Sequence, residues 1–489
     1  MTARGLMVWG TSSGAGKSWL VTALCRWYAR QGLRVAPFKA QNMSNNARVV
    51  ATPDGAEGEI GAAQYFQALA AGVDPDVRMN PLLLKPEADT RSQVVLLGHV
   101  DAELTALPWR ERSPHVWPVV RQALDELRAQ HDLIVMEGAG SPAEINLQDT
   151  DIVNLAPVRH AQARALLVAD IDRGGAFAHL YGTWALLPAD LRGALRGFVL
   201  NKFRGDAALL APAPQRLQAL TGVPTLATLP LRWGHGLPEE DGVFDDRAAL
   251  GGGPVRTTVA VVAYPRLSNL DEFQPLKNAR GVRLVWARSP AECAGADWII
   301  LPGSKATAAD LAWLRAQGLD AALAAHAARG GAVLGICGGL QMLGEALVDP
   351  HGVDGNAPGL GLLPLVTVFE RDKTVRRTSA TFGPLPPGPW AALGGVRVRG
   401  YEIHHGRTVP HPALAARGEV AHEVLPGLAW CNAAGNVMGL YLHGLFEDEA
   451  ALRALLGTRA RPLSAVFDGL ADLVEAHFAP GALAALAGP

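Results

Sequence analysis

Between the apolar run Leu6-Met7-Val8-Trp9 and a helical pattern beginning near Trp19 stand nine residues, Gly10-Thr11-Ser12-Ser13-Gly14-Ala15-Gly16-Lys17-Ser18. This order of strand, glycine-rich loop and helix constrains the fold more than any other segment. In such a loop, backbone N–H groups and a helix N-terminus converge on bound phosphate. The loop therefore commits the first half of the chain to an open α/β sheet with a nucleotide, ATP, at the carboxyl ends of its strands. Thr11, Ser13, Gly14 and Gly16 are expected to cradle the phosphates, Lys17 to neutralise the β- and γ-phosphates, and Ser18 to ligate the accompanying Mg2+. The spacing departs from the common G-x-x-x-x-G-K-[ST] form, because Thr11 stands where the first glycine belongs.

Four further apolar runs of strand length follow: Val35-Ala36-Pro37-Phe38, Leu133-Ile134-Val135-Met136, Ala165-Leu166-Leu167-Val168 and Gly197-Phe198-Val199-Leu200. Each ends in a polar or glycine-containing loop, the pattern of a parallel sheet covered by helices on both faces. Residues 1–240 read as an ATP-binding domain, and residues 241–254, which gather acidic side chains and Gly251-Gly252-Gly253-Pro254, as a linker. Residues 255–489 read as a second α/β domain, restarting at Thr257–Ala263 and repeating the strand-then-loop pattern before Pro302-Gly303-Ser304 and before Cys337. From Ala450 the spacing turns helical, with Leu463, Val466, Phe467, Leu470, Leu473 and Val474 on one face. These last helices are expected to pack on the second domain. The fold class is α/β, with two doubly wound domains, and 489 residues suffice for two separate cores.

Polar segments after the strands supply further candidates. Lys39, Gln41 and Asn42 follow the second strand and are placed to face a substrate carboxylate and the γ-phosphate. Glu137 directly follows Leu133–Met136, the position of a second Mg2+ contact, and Asn201 after Val199-Leu200 suits the nucleotide base. The chain has only seven lysines, at 17, 39, 85, 202, 277, 305 and 373, while arginine supplies every other basic residue. A compact ammonium differs in function from a guanidinium. The first four of these lysines fall beside segments that look like nucleotide or substrate loops.

In the second half, Gly335-Ile336-Cys337-Gly338-Gly339 sets a cysteine between a strand and a helix, with glycines permitting a sharp turn that exposes the sulfur. That is the setting of a cysteine nucleophile, with the Gly338 N–H as one oxyanion donor and Gly303 or Ser304 supplying a second. Cys25, Cys293 and Cys431 lack such a setting. His443, after the strand-like run Val437–Leu442, is the expected general base, with His404 and His405 as competitors. The group that orients the base is left open among Glu402, Asp448 and a backbone carbonyl.

Taken together, these segments resemble the cobyric acid synthase family, glutamine-hydrolysing amidases of cobalamin biosynthesis. The resemblance rests on the phosphate loop, Gln41-Asn42-Met43-Ser44-Asn45-Asn46-Ala47-Arg48, Met79-Asn80-Pro81-Leu82-Leu83-Leu84-Lys85-Pro86, Glu137-Gly138-Ala139-Gly140-Ser141-Pro142-Ala143-Glu144, Asp151-Ile152-Val153-Asn154 and the Cys337 turn. It implies a dethiobiotin-synthetase-like ATPase domain followed by a flavodoxin-like, class I glutamine amidotransferase domain. The class I pattern carries Glu two residues after the histidine, and here that residue is Leu445, a departure that marks the cobyrinic-acid-amidating branch. The resemblance further implies glutamine and an adenosylated corrinoid as substrates, with amidation of the b, d, e and g carboxylates of adenosylcobyrinic acid a,c-diamide. The sister a,c-diamide synthase shares both halves but is not expected to carry the runs at 41–48 and 80–86. A partition-type ATPase switch is the alternative from another class, against which the Cys337 turn speaks.

Bulk properties agree with small-molecule substrates. With 44 Lys and Arg against 46 Asp and Glu, the formal charge of −2 gives no ground for a nucleic-acid or membrane partner. The four cysteines show no C-x-x-C spacing, which argues against a zinc site or a disulfide framework and for a reducing cytoplasm. No signal peptide opens the chain, and no apolar stretch reaches the roughly 18 to 20 residues that span a bilayer. A homo-oligomer remains open.

Overall fold

The computed structural model describes residues 2–88, 90–238 and 254–488. Its first sheet has six strands, in the spatial order Thr225–Pro230, Leu195–Phe203, Arg164–Asp170, Arg4–Gly10, Leu133–Glu137 and Val35–Phe38. Neighbouring strands are parallel throughout. Arg4–Gly10 and Leu133–Glu137 are buried along almost their whole length, which is why they read as unbroken apolar runs rather than alternating ones. The central strand Arg4–Gly10 leads into the phosphate loop, and its two neighbours end in Glu137 and Asp170. Polar groups from three adjacent strand ends therefore meet at one edge.

The second sheet has seven strands. Val282–Ala287, Thr257–Val262, Trp298–Leu301, Ala332–Ile336 and Val437–Leu440 run parallel, and Ala429–Cys431 and His422–Leu425 extend the sheet antiparallel. A long hairpin, Leu365–Thr381 with Arg397–Pro410, reaches from this domain to the hairpin Ala47–Ala51 and Glu57–Gly61 of the first. Ala47, Val49, Leu83 and Val95 of the first domain and Tyr401 and Ile403 of the second form one apolar cluster that seals the two together. The expected linker lies outside the described residues except for Pro254. Among the described residues no helix is long and apolar enough to cross a membrane.

The C-terminal helices depart from the expectation. Leu463–His477 and Ala482–Ala487 pack on the first domain, not the second: Val466, Phe467, Leu470, Val474 and Leu483 share a core with Leu20, Val21 and Leu24. Arg26 Nε donates to Asp468 Oδ1 at 2.8 Å, and the Tyr28 hydroxyl donates to the Leu483 carbonyl at 2.8 Å. An amphipathic stripe reports that one face is buried and carries no address. Here the address is the outer face of helix Lys17–Arg30, the helix that begins at the phosphate loop.

Candidate active sites

The phosphate loop closes on itself through its own glycines. Gly14 and Gly16 have φ of 70° and 96°, and a Cβ on Gly16 would stand 2.0 Å from Asn201 Nδ2. Asn201, expected at the nucleotide base, also supports the loop: its Nδ2 donates to the Ala15 carbonyl at 2.9 Å and its Oδ1 accepts from the Lys202 N–H at 2.9 Å. Lys202 adds a bond to the Gly14 carbonyl at 2.8 Å and pairs with Asp170 at 3.1 Å. Both residues buttress the loop. Lys17 Nζ donates to the Ser12 carbonyl at 3.0 Å and the Gly140 carbonyl at 3.2 Å, so its ammonium bridges the loop and the Glu137–Ser141 segment.

Glu137 gathers the other polar groups. Its Oε1 accepts from Ser18 Oγ at 2.8 Å and from Lys39 Nζ at 2.8 Å, and its Oε2 from Gln67 Nε2 at 2.5 Å. Burial opposes its ionisation, but Lys39 and these hydrogen bonds outweigh burial and hold its pKa below the usual carboxylate value. Asn154 fixes the loop that follows, accepting from the Ala139 N–H at 3.1 Å and donating to its carbonyl at 2.9 Å. Asn42 donates to Gln64 at 3.0 Å, and Gln41 pairs in register with Leu82, the run from which Asn80 anchors Lys39 by its carbonyl at 3.2 Å. Lys39, Ser18, Gln67 and Glu137 thus belong to one polar network, whereas Asn42 pairs with Gln64 and Gln41 stands at the edge of a small sheet. Thr11 and Ser13 lie on the more open side of the loop.

In the second domain the turn after Ala332–Ile336 is a tight elbow. Cys337 has φ 52° and ψ −106°, a strained conformation for a side-chain-bearing residue. Its neighbours must be glycine: a Cβ on Gly339 would lie 1.9 Å from the Leu301 carbonyl oxygen, and one on Gly338 2.8 Å from the Ser304 nitrogen. A Cβ on Gly303 would lie 3.1 Å from His443 Cε1. The backbones of Gly303 and Gly338 therefore flank the sulfur and the imidazole.

His443 is fully buried beside Cys337, whose Sγ donates to the Ile403 carbonyl at 3.5 Å. Its Nδ1 lies 3.1 Å from Glu272 Oε1, and the Gly444 N–H donates to Glu272 Oε2 at 3.1 Å. Glu272, with no exposed surface, is the orienting carboxylate that reading the sequence did not find. Glu402 instead binds Arg376, Thr378 and His404, and Asp448 caps the helix Glu449–Leu456 through the Ala450 and Ala451 N–H groups. Burial alone would lower the His443 pKa. The Glu272 carboxylate and the contact with Cys337 override it and raise the pKa to about 10, which favours an imidazolium beside the sulfur. His404 stacks on Tyr441 at 3.9 Å and, with His405, lines the cavity that opens at Cys337.

The two sites touch through the run Asn46–Arg48. Arg48, 2% exposed, places Nε 2.8 Å from Asp271 Oδ2 and Nη1 2.8 Å from Glu447 Oε2, and Nη2 reaches both carboxylates. Its guanidinium also lies over the rings of Tyr65, Phe66 and Tyr401. Asn46 Oδ1 accepts from the Leu270 N–H at 3.0 Å, and Asn269 Nδ2 donates to the Ala47 carbonyl and the Tyr401 hydroxyl, both at 2.7 Å. Tyr401 in turn stacks on His443 at 5.2 Å. The segment that delivers Glu272 is thus held by the first domain, and a buried pair of this kind costs ~3–5 kcal/mol when one partner is removed.

A nucleotide-binding half joined to a cysteine amidotransferase half defines the class, a glutamine-dependent amide-forming enzyme. Residues 6–239 match the CobQ/CobB/MinD/ParA nucleotide binding domain, and residues 258–451 match the CobB/CobQ-like glutamine amidotransferase domain. The chain is 74% identical over 483 residues to the cobyric acid synthase of Paracidovorax citrulli, covering 98% of each chain. It is 73% identical over 487 residues to that of Variovorax paradoxus, covering 99% of this chain and all of the relative. The chain belongs to the cobyric acid synthase family.

Proposed function

We propose that this enzyme forms cobyric acid, amidating in turn the b, d, e and g carboxylates of adenosylcobyrinic acid a,c-diamide, with one ATP and one glutamine consumed in each cycle. The observation that carries the reading is likeness along the whole chain to relatives bearing that name, in a structure whose two halves are joined through Asn46–Arg48. A partition-type ATPase would have no use for the Cys337–His443–Glu272 constellation.

A free carboxylate is too poor an electrophile for ammonia, so the ATP site activates it as an acyl phosphate. The loop N–H groups around Thr11, Ser13, Gly14 and Gly16 hold the phosphates, and Lys17 neutralises charge as the γ-phosphoryl group moves. Ser18 Oγ, which donates to Glu137 Oε1 at 2.8 Å, and the Glu137 carboxylate are hard oxygen donors and would hold a Mg2+ ion. That ion, when bound, neutralises the β- and γ-phosphates. Lys39, Gln41 and Asn42 line the approach of the carboxylate.

At the other centre the Cys337 thiolate attacks the glutamine carboxamide. The Gly338 and Gly303 N–H groups stabilise the oxyanion, and His443, held by Glu272, protonates the departing ammonia. Water then clears the glutamyl thioester, and ammonia crosses the sealed contact between the domains to the acyl phosphate. The reaction is assigned to the cytoplasm, where its cosubstrates are found.

Mass spectrometry of products from adenosylcobyrinic acid a,c-diamide tests the assignment: four successive amidations are expected, and none would exclude it. With substrate carboxylate labelled by 18O, the label is expected in inorganic phosphate; release of AMP would overturn the acyl phosphate. Glu272→Gln removes the charge that holds the His443 pKa up. The alkaline limb of the glutaminase pH profile then moves to lower pH, and kcat falls about 100-fold or more, since an orienting carboxylate is worth up to ~10⁴ in a comparable triad. An unchanged profile would remove Glu272 from this role.

A further inference from the structure

Six of the seven lysines fall into two groups. Lys17, Lys39 and Lys202 serve the phosphate loop, whereas Lys85, Lys305 and Lys373, scattered across 289 positions of sequence, line a single cavity of about 210 Å³ that opens onto Cys337. One wall of that cavity belongs to the first domain, through Lys85, Glu87 and Gln93, and the rest to the second. Behind the lysines sits Glu59, 1% exposed, which Lys85 Nζ meets at 2.6 Å and Lys373 Nζ also contacts. Lys305 Nζ stands 3.2 Å from Glu87 Oε1 and 3.2 Å from Gln93 Oε1, to which Lys373 also reaches at 3.5 Å. Lys305 directly follows Ser304, whose nitrogen lies close to Gly338.

The occupant of this cavity is fixed at one end, because its carboxamide carbon must meet Cys337. Glutamine carries, four bonds further on, a carboxylate that enters this mostly buried space and needs a partner of opposite sign. We propose that Lys85, Lys305 and Lys373 form a subsite, assembled from both halves of the chain, that holds the α-carboxylate of glutamine while Cys337 attacks its carboxamide. Glu87 on the same wall accepts from the α-ammonium group. The charge balance agrees. Burial and the neighbouring lysines push Lys373 down to about 7 despite Glu59, so the cluster holds more positive charge than its own carboxylates neutralise, and an entering carboxylate relieves the crowding. Recognition of glutamine then requires the first domain, which supplies Lys85 and positions Lys373 through Glu59.

The inference rests on the glutaminase assignment of Cys337, and its test separates the two. Ammonia release by the full-length enzyme is measured for wild type, Lys305→Met and Lys373→Met, with glutamine and with 4-aminobutanamide, which is glutamine without its carboxylate, as substrates. A charge-assisted bond lost to a buried carboxylate raises KM for glutamine about 10- to 100-fold, with kcat within about threefold. Hydrolysis of 4-aminobutanamide and alkylation of Cys337 by iodoacetamide stay at wild-type rates, and Lys373→Arg recovers part of the glutamine KM. An unchanged glutamine KM, or equal losses on both substrates, overturns the subsite. Absence of ammonia release from glutamine by the wild type overturns the glutaminase assignment itself.

Discussion

Cys337→Ala abolishes synthesis from glutamine, by at least about 10³-fold, and leaves synthesis from ammonium within about twofold of wild type. The asymmetry follows from the architecture. The sulfur sits at an elbow of the second sheet, enclosed by Gly303, Gly338 and His443, and alanine fills that elbow without strain beyond what cysteine already bears. Nothing in the phosphate network of Lys17, Ser18, Lys39 and Glu137 depends on the thiol. Amide product is quantified by mass spectrometry with ammonium chloride at mildly alkaline pH, where free ammonia is available to intercept the proposed acyl phosphate. Loss of both activities would show that Cys337 does more than release ammonia.

Lys17→Ala has the opposite signature and stops synthesis from either nitrogen source. Its ammonium is anchored on the Ser12 and Gly140 carbonyls; in the proposed reaction it meets the charge that develops on the migrating phosphoryl group, and loss of one such preorganised group costs about 100- to 1,000-fold in kcat. A thermal shift supplies an independent reading. ATP with Mg2+ raises the Tm of the wild type by mass action, and the variant loses most of that rise while keeping its ligand-free Tm. Product formation at the wild-type rate by Lys17→Ala would unseat the loop as the ATP site.

What was legible in the sequence was what the chain spells out locally. The phosphate loop and the Cys337 elbow each pair a strand, a turn that only glycine can make and a helix within a dozen residues, so the steric demand is written beside the functional residue. Glu272 is not written beside anything: it stands 171 residues from His443, and the two meet only because Thr257–Val262 and Val437–Leu440 end at the same edge of one sheet. The acidic pair Asp271-Glu272 after the first strand of the second domain was the available signal. Its two members face different ways, one to Arg48 and one to His443. Asn201 sits at a strand end, as a base-reading residue would, and its support of the phosphate loop through Ala15 was not legible in the sequence. The three cavity lysines were visible as rare residues, but their convergence depends on how the domains meet.

The placement of the last helices has a bearing on how the protein is made. Helix Lys17–Arg30 leaves the ribosome well before the residues that cover its apolar outer face, which follow 442 and 455 positions later, as at Arg26 with Asp468 and Tyr28 with Leu483. Domains ordinarily fold in the order of synthesis. Here the half translated first is the half completed last, and its core stays open to water until residues 463–487 emerge. A nascent chain interrupted between Leu456 and Leu463 would carry a finished glutaminase sheet beside an ATPase that lacks one wall, so termination there yields a sticky product rather than a half-active one.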